Sequence, residues 1–473
     1  MLKSNLIAAA ILFAFAGPVL AQEAELAKIR AEIELIKRAY EERIGALEKR
    51  LAEADAKAGQ AEKASASAEK AAANAETAAN SAANRTGENA FNPAVSLLLQ
   101  GTYASTSRDP NDYQITGFVP SGGDVGPPKR SFGLAETELA IASNIDPYFR
   151  GVAIASLAPD GGAAVEEAYF QTLALPSGFV VKGGRFFSGL GYLNEQHQHA
   201  WDFQDAPLPY KAFLGNRLRQ DGLQLKWIAP TDLLVSLGAE ISSGDQYPGS
   251  DRNKNGVGGG SIFGHVGGDI GTGYAWRTGL SYLKSSPRDR VYDDIDSLGS
   301  TVTNSFTGDA KLWVADAVLK WAPNGNSTYT NFKLQGEYFR LSQNGRLTYD
   351  DSAGSGVFGA LAGNFDSRQS GWYLQGVYQF MPQWRVGYRY DRLNFGTVNN
   401  GIVGRGASPT AADFPILTPY NPSRNTLMAD WSLTEFSRIR LQFAADKSRQ
   451  GETDNQMFVQ YIYSLGAHGA HQF

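Results

Sequence analysis

Trp384-Arg385-Val386-Gly387-Tyr388-Arg389-Tyr390-Asp391 alternates, residue by residue, between bulky apolar side chains and charged or small ones. A β-strand sends successive side chains to opposite faces. Trp384, Val386, Tyr388 and Tyr390 therefore share one face, and Arg385, Gly387, Arg389 and Asp391 the other. Such a strand wants water on one side and an apolar medium on the other. The same division returns downstream, where Ile439, Leu441 and Phe443 oppose Arg438, Arg440 and Gln442. It also stands upstream, with Phe332, Leu334 and Tyr338 opposing Lys333, Gln335 and Glu337.

Beyond Pro93 sixteen such segments follow one another. They centre on 95–104, 134–143, 149–157, 164–174, 179–187, 218–228, 232–241, 260–268, 273–283, 311–321, 330–340, 371–380, 383–393, 426–434, 437–446 and 456–465. A soluble β-sandwich also alternates, so the connections decide. Tight turns such as 144–147, 175–178, 270–272 and Met381-Pro382 take turns with long polar stretches at 105–132, 188–217, 242–259, 284–309, 341–369 and 394–425. Short turns on one rim and long loops on the other are the asymmetry of outer-membrane barrels. Aromatics add a second sign. Tyr148, Phe149, Phe179, Trp227, Tyr274, Trp321, Phe380, Trp384, Trp431 and Phe436 all sit beside tight turns, where a membrane–water interface collects amphipathic rings. Trp313 and Trp372 belong to the opposite girdle. The predicted fold is all-β, a transmembrane antiparallel barrel of about sixteen strands over 94–473, preceded by a helical segment. An even strand count leaves both barrel ends on one side of the membrane.

The N-terminus reads as an address followed by a helix. Lys3, the apolar run from Leu6 to Phe15, and Val19-Leu20-Ala21 predict a signal peptide over 1–21 with cleavage after Ala21. Leu26, Ile29, Ile33, Ile36, Tyr40, Ile44, Leu47 and Leu51 then form a heptad seam with a stutter, predicting a coiled coil over 22–51. Isoleucine at successive seam positions favours three strands. Residues 52–93 are rich in alanine and almost free of bulky apolar side chains, which predicts a helical stalk or linker.

Composition closes several doors. The 473 residues include no cysteine, which removes disulfides, thiol nucleophiles and thiolate metal sites. A net charge of −5 argues against nucleic acid as a partner. No G-x-S-x-G, H-E-x-x-H or Walker sequence is present, so no enzyme activity is predicted.

With its predicted sixteen strands and coiled coil, the chain resembles the trimeric bacterial outer-membrane porins, including the coiled-coil-bearing sugar porins. Glu167-Ala168-Tyr169, Leu175-Pro176 and Val180-Val181-Lys182-Gly183-Gly184-Arg185 are similar to a recurring hairpin of the phosphate-selective porin superfamily. The resemblance implies a homotrimer in the outer membrane of a Gram-negative bacterium, with a periplasmic coiled coil and a third loop that narrows the pore. The expected partners are the lipid bilayer and lipopolysaccharide, small hydrophilic solutes and, through the stalk, peptidoglycan.

A barrel of this size holds water, so function belongs to its lining and its inward loop. Assigning the aromatic faces to lipid puts Arg277, Lys320, Lys333, Arg385, Arg389, Arg438 and Arg440 in the lumen, with Glu136, Glu138, Asp316 and Glu337 as the acidic lining. The four late arginines suggest a basic track opposing Glu136 and Glu138. Within 188–217, His197 and His199, with Glu195 and Asp202, have the ligand types of a zinc site. Otherwise no cofactor is expected. Three functions remain open: passive diffusion through a trimeric porin, reception or transport of a metal such as zinc or its chelate, and tethering of the envelope through the N-terminal helix.

Overall fold

A computed structural model describes residues 93–466 except 123–124, 136, 158–160, 252, 254 and 405–408, together with seven residues between 34 and 49. The chain separates into two units, Met1–Ala90 and Phe91–Phe473. In the first unit the seven described residues are helical and exposed, with Lys37 and Glu41 4.0 Å apart one turn from each other. The signal peptide, coiled coil and stalk expected over 1–93 otherwise lie outside the described residues.

The second unit is one continuous antiparallel sheet. Its strands are β1 (Ala94–Thr106), β2 (Ser131–Leu134), β3 (Thr137–Asn144), β4 (Phe149–Leu157), β5 (Ala163–Thr172), β6 (Phe179–Phe187), β7 (Arg219–Ile228), β8 (Leu234–Ser242) and β9 (Gly259–Ile270). They continue as β10 (Tyr274–Ser285), β11 (Arg290–Ile295), β12 (Thr301–Trp321), β13 (Asn331–Asp350), β14 (Ala360–Met381), β15 (Trp384–Asn400), β16 (Ser423–Thr434), β17 (Ser437–Lys447) and β18 (Asp454–Gly466). β1 pairs with β18 from Ser96↔Gly466 to Thr106↔Gln456 and with β3 on its other side, so the sheet closes on itself. β2 and β3 both pair with β1 and form one interrupted wall strand. β11 is the far arm of a hairpin on β12, whose lower half pairs directly with β10. The wall is therefore a closed sixteen-stranded barrel. Closure leaves no unpaired edge, the condition for sheet to survive in lipid.

β4 and β6 occupy the predicted 149–157 and 179–187, and the other segments match to within a few residues except β12 to β15. These run about ten residues into stretches read as loops. The stretches at 284–309, 341–369 and 394–425 are corrected accordingly. Their inner face stays apolar, with Val302, Phe306, Leu347, Tyr349 and Phe365 packed against Tyr292, Phe414 and Ile416. Their outer face is mostly Thr, Ser, Asn, Asp and Arg, such as Thr303, Asn344, Arg346, Asp366 and Arg368, which carries no lipid signature.

The outward belt is apolar. Leu223, Leu237, Ile262, Leu280, Leu374, Tyr388, Leu427 and Phe443 are exposed, an area far too large for a barrel surrounded by water. Of the ten aromatics beside the tight turns, eight are exposed, while Trp227 and Trp321 are half-buried. Trp384 and Trp431 stack at 5.6 Å. At the other girdle Trp313 packs on Tyr282 at 4.6 Å and Trp372 on Tyr390 at 5.4 Å.

The Gly183-Gly184 pair has a local cause. Gly184 sits at φ +124°, and a Cβ there would lie 2.2 Å from the Ala168 carbonyl oxygen on β5. Only glycine adopts this backbone readily. Gly184→Val is expected to cut the yield of folded barrel sharply, as read from the fraction that keeps compact mobility in unheated electrophoresis.

Candidate functional site

Residues 188–218 leave β6, cross the inside of the barrel and return to β7. Leu190, Leu193, Trp201, Leu208, Tyr210, Phe213 and Leu214 form an apolar cluster with the wall residues Leu312, Val314, Phe339, Leu341, Tyr373 and Leu393. A short helix, α1 (Leu208–Leu214), packs on β13, β14 and β15 and ends at Gly215 in the left-handed region. The main core of this unit is thus a loop seated in a barrel.

Four polar holds fix the loop. At its stem, Ser188 Oγ and Gly189 N donate to Glu240 of β8 at 2.5 and 2.8 Å. Asn194 joins both stem ends, giving Nδ2 to the Ser188 and Leu218 carbonyls and accepting from Leu218 N at 2.7 Å. Next, Glu337 of β13, fully within the protein, accepts from Tyr192 N (2.8 Å), Leu193 N (3.4 Å), Tyr210 OH (3.0 Å) and Tyr373 OH (2.5 Å).

The third hold is electrostatic. Asp202 meets Lys333 Nζ at 2.6 Å, Arg385 Nη1 at 3.1 Å and Gln375 Nε2 at 3.2 Å. Asp205 meets Arg424, Arg389 Nη2 at 3.1 Å, Lys211 Nζ at 3.2 Å and Gln442 Nε2 at 3.1 Å. Burial alone would raise both carboxyls. The cations outweigh it: Lys333 and Arg385 hold Asp202 below the ordinary aspartate range, and Arg424, Lys211 and Arg389 hold Asp205 well below it. Backbone carbonyls join in. Arg438 donates to His199 O at 2.6 Å, Arg440 to Trp201 O at 2.8 Å and Arg389 to Asp205 O at 2.8 Å.

The fourth hold lies across the barrel from the third. His197 Nδ1 is 3.2 Å from Glu138 Oε2 and 3.4 Å from Glu166 Oε2, and its Nε2 is 2.9 Å from Glu167 Oε2. His199 Nδ1 is 3.2 Å from Glu138 Oε1. Burial would lower the His197 imidazole, but the three carboxylates raise it well above the ordinary histidine value. Glu166 and Glu167 are neighbours, yet both reach the lumen. The β4–β5 register skips Glu166 between Ile154↔Glu167 and Ala155↔Val165, and that bulge turns both side chains inward.

The inward placement of the predicted lining residues is one matter, and their use is another. Arg385, Arg389, Arg438 and Arg440 do face the lumen, but Arg389 and Arg440 are only 1% exposed. Arg389 and Arg440 therefore hold the loop and Asp430 and do not line open water, whereas Arg385 and Arg438 stay partly exposed beside Asp430. Glu337 is likewise covered by the loop. Asp316 faces His265 at 3.6 Å, and Arg277 reaches Gly191 O at 3.3 Å. Lys320 stands opposite Lys333 in the ladder. Glu136 lies outside the described residues. The predicted ligand set is also redrawn. Glu195 pairs with Lys226 at 3.7 Å and Asp202 with Lys333, so neither accompanies His197 and His199; Glu138 does. Sequence reasoning missed Arg424 and Glu166. Asp205 stood in view as the third acid of the loop, but nothing local marks its partners on distant strands.

One more pattern concerns the turn rim. Within four residues of their turn ends, the wall strands turn Arg150, Lys182, Lys226, Arg277, Lys320, Lys333, Arg385 and Arg438 inward. Among the described residues Asp269 and Asp430 are the inward acids in the same positions, with Glu195 and Asp202 just beyond. That mouth of the lumen is strongly basic.

No family model matches the chain. It is 29% identical over 415 residues to an uncharacterized protein of Aquifex aeolicus (strain VF5), covering 82% of this chain and 81% of that protein. Among solved structures it is similar to a loop L8 deletion mutant of OmpT, an outer membrane protein of Vibrio cholerae (TM-score 0.48, 10% identity, 79% of this chain and 99% of that one). It is also similar to the outer membrane channel DcaP of Acinetobacter baumannii (TM-score 0.45, 13% identity, 79% and 97%) and to an anion-selective porin from Comamonas acidovorans (TM-score 0.42, 11% identity, 79% and 99%).

Proposed function

We propose that the chain is an outer-membrane porin that passes small hydrophilic solutes passively through a lumen narrowed by residues 188–218. One observation carries this reading: a charged loop is strung across a sixteen-stranded barrel by anchors on opposite walls. Such a loop narrows a water-filled passage and sets its field. The basic turn-side mouth favours anions, because a ring of Lys and Arg lowers the electrostatic barrier to negative solutes. The turn rim faces the periplasm and the long loops face outward. The isoleucine seam over 22–51 supports assembly as a trimer, and the stalk beyond it supports contact with peptidoglycan.

The test is a reversal potential under a salt gradient in planar bilayers. Wild type is expected to prefer anions. The double variant Arg150→Glu/Lys182→Glu, which spares every loop anchor, is expected to lower the anion-to-cation permeability ratio several-fold. An unchanged ratio would remove the basic mouth as the selectivity element. A protein that never conducts would remove the porin reading altogether.

A further inference from the structure

We infer that Glu138, His197 and His199 form a site for one divalent transition-metal ion of the zinc class, and that this ion fastens the lumen loop to the barrel wall. One ligand atom from each residue lies within 4.8 Å of the other two. Zinc holds nitrogen and oxygen at about 2.0–2.2 Å. Glu138 already faces both imidazoles at 3.2 Å, one on each carboxylate oxygen. Closing the two rings on an ion needs a movement of roughly an ångström.

The tautomer fits this use. Glu167 lies 2.9 Å from Nε2 of His197, which places a ring proton on that nitrogen; an ion binding at Nδ1 displaces the proton there and takes its lone pair. Nδ1 is buried and makes no well-angled hydrogen bond. A carboxylate behind the far nitrogen of a ligating histidine is the usual support of a zinc site, orienting the ring and raising its basicity. Glu166 Oε2 lies 3.4 Å from the same Nδ1, while its Oε1 accepts from Arg217 Nη2 at 3.3 Å. Two imidazoles select against magnesium and calcium, which take oxygen, and suit zinc, nickel or copper. The histidines come from the loop, Glu138 from β3 and Glu166 and Glu167 from β5. An ion there joins loop to wall on the side away from the Asp202 and Asp205 anchors.

The competing account is that His197 alone, as an imidazolium, bridges the carboxylates without metal. Untagged full-length protein in detergent, stripped with chelator and titrated calorimetrically with zinc, separates the two. The site predicts saturable uptake of one zinc per chain, abolished by His199→Gln and by Glu138→Gln. Glu167→Gln keeps all three ligands and is expected to weaken binding about 10–100-fold. His468→Ala/His471→Ala, the tail histidines, is expected to change nothing. Unheated electrophoretic mobility checks that each variant folds, and Glu138→Gln serves if His199→Gln does not. Zinc uptake equal in wild type and the ligand variants, loss of uptake in the tail variant, or no uptake by the stripped wild type would each overturn the site. Conductance is unaffected by that failure, so the porin reading stands or falls separately.

Discussion

Asp205→Asn is expected to raise single-channel conductance and open-channel noise. This carboxylate meets Lys211, Arg389 and Arg424 together, and those cations are 3%, 1% and 0% exposed. Arg389 and Arg424 keep Asp391 and Asp446 at 3.2 and 3.5 Å, but among the described residues Lys211 makes no second ion pair. Removing one partner of a buried ion pair costs about 3–5 kcal/mol, because the remaining charge is left uncompensated. Asparagine keeps an acceptor, so the lower figure applies. About 3 kcal/mol shifts the ratio of seated to displaced loop by roughly a hundredfold. The barrel ladder is untouched, so the displaced state is a wider channel and not an unfolded one. Unchanged conductance in a folded variant would show that the loop is seated without this anchor.

The same carboxylates set an acid limit. Asp202 and Asp205 have depressed values in the folded protein. Their stabilisation is therefore fully present above the unfolded aspartate value of about 3.9 and is lost as pH falls through the lower folded values. Conductance of wild type is expected to hold steady from neutrality to about pH 4 and to rise only below it. A rise already near pH 5 would contradict the depressed values.

Glu337→Leu is expected to have the largest effect on the loop stem. The carboxylate receives two backbone N–H groups and two phenol hydroxyls, all deep in the lumen. Leucine fills similar volume and accepts nothing. Each buried donor left unpaired costs about 1–3 kcal/mol. Tyr373 still accepts from Gln335 Nε2 at 2.6 Å, but its own hydroxyl hydrogen, the Tyr192 and Leu193 amides and the Tyr210 hydroxyl lose their acceptor. The folded barrel should become susceptible to protease within 190–215, where wild type resists. Tyr210→Phe removes one donor and leaves Glu337 three, so it should fall close to wild type. Equal resistance of Glu337→Leu and wild type would show that apolar packing alone seats the stem.

These two residues mark where the sequence was readable and where it was not. Glu337 was legible as an inward acid, because Leu334 and Tyr338 fix the lipid face of β13 by alternation. Its role was not, since its loop donors lie 127 to 145 positions away in sequence. The wall could be read from local periodicity, turn residues and aromatic position. The loop seat depends on which strands closure brings opposite one another. Glu166 and Glu167 show the same limit on a smaller scale. Two adjacent strand residues should face opposite ways, and only the bulge turns both toward His197. In the upper halves of β12 to β15 the alternation persists, but without lipid outside it loses the apolar half of its signature.

The central claim is that residues 188–218 are the element that narrows a conducting barrel. Its most direct test is the single-channel conductance of wild type beside a variant in which 193–213 are replaced by a short glycine–serine link. The account predicts small discrete steps for wild type and clearly larger ones for the variant. Steps of equal size would contradict it.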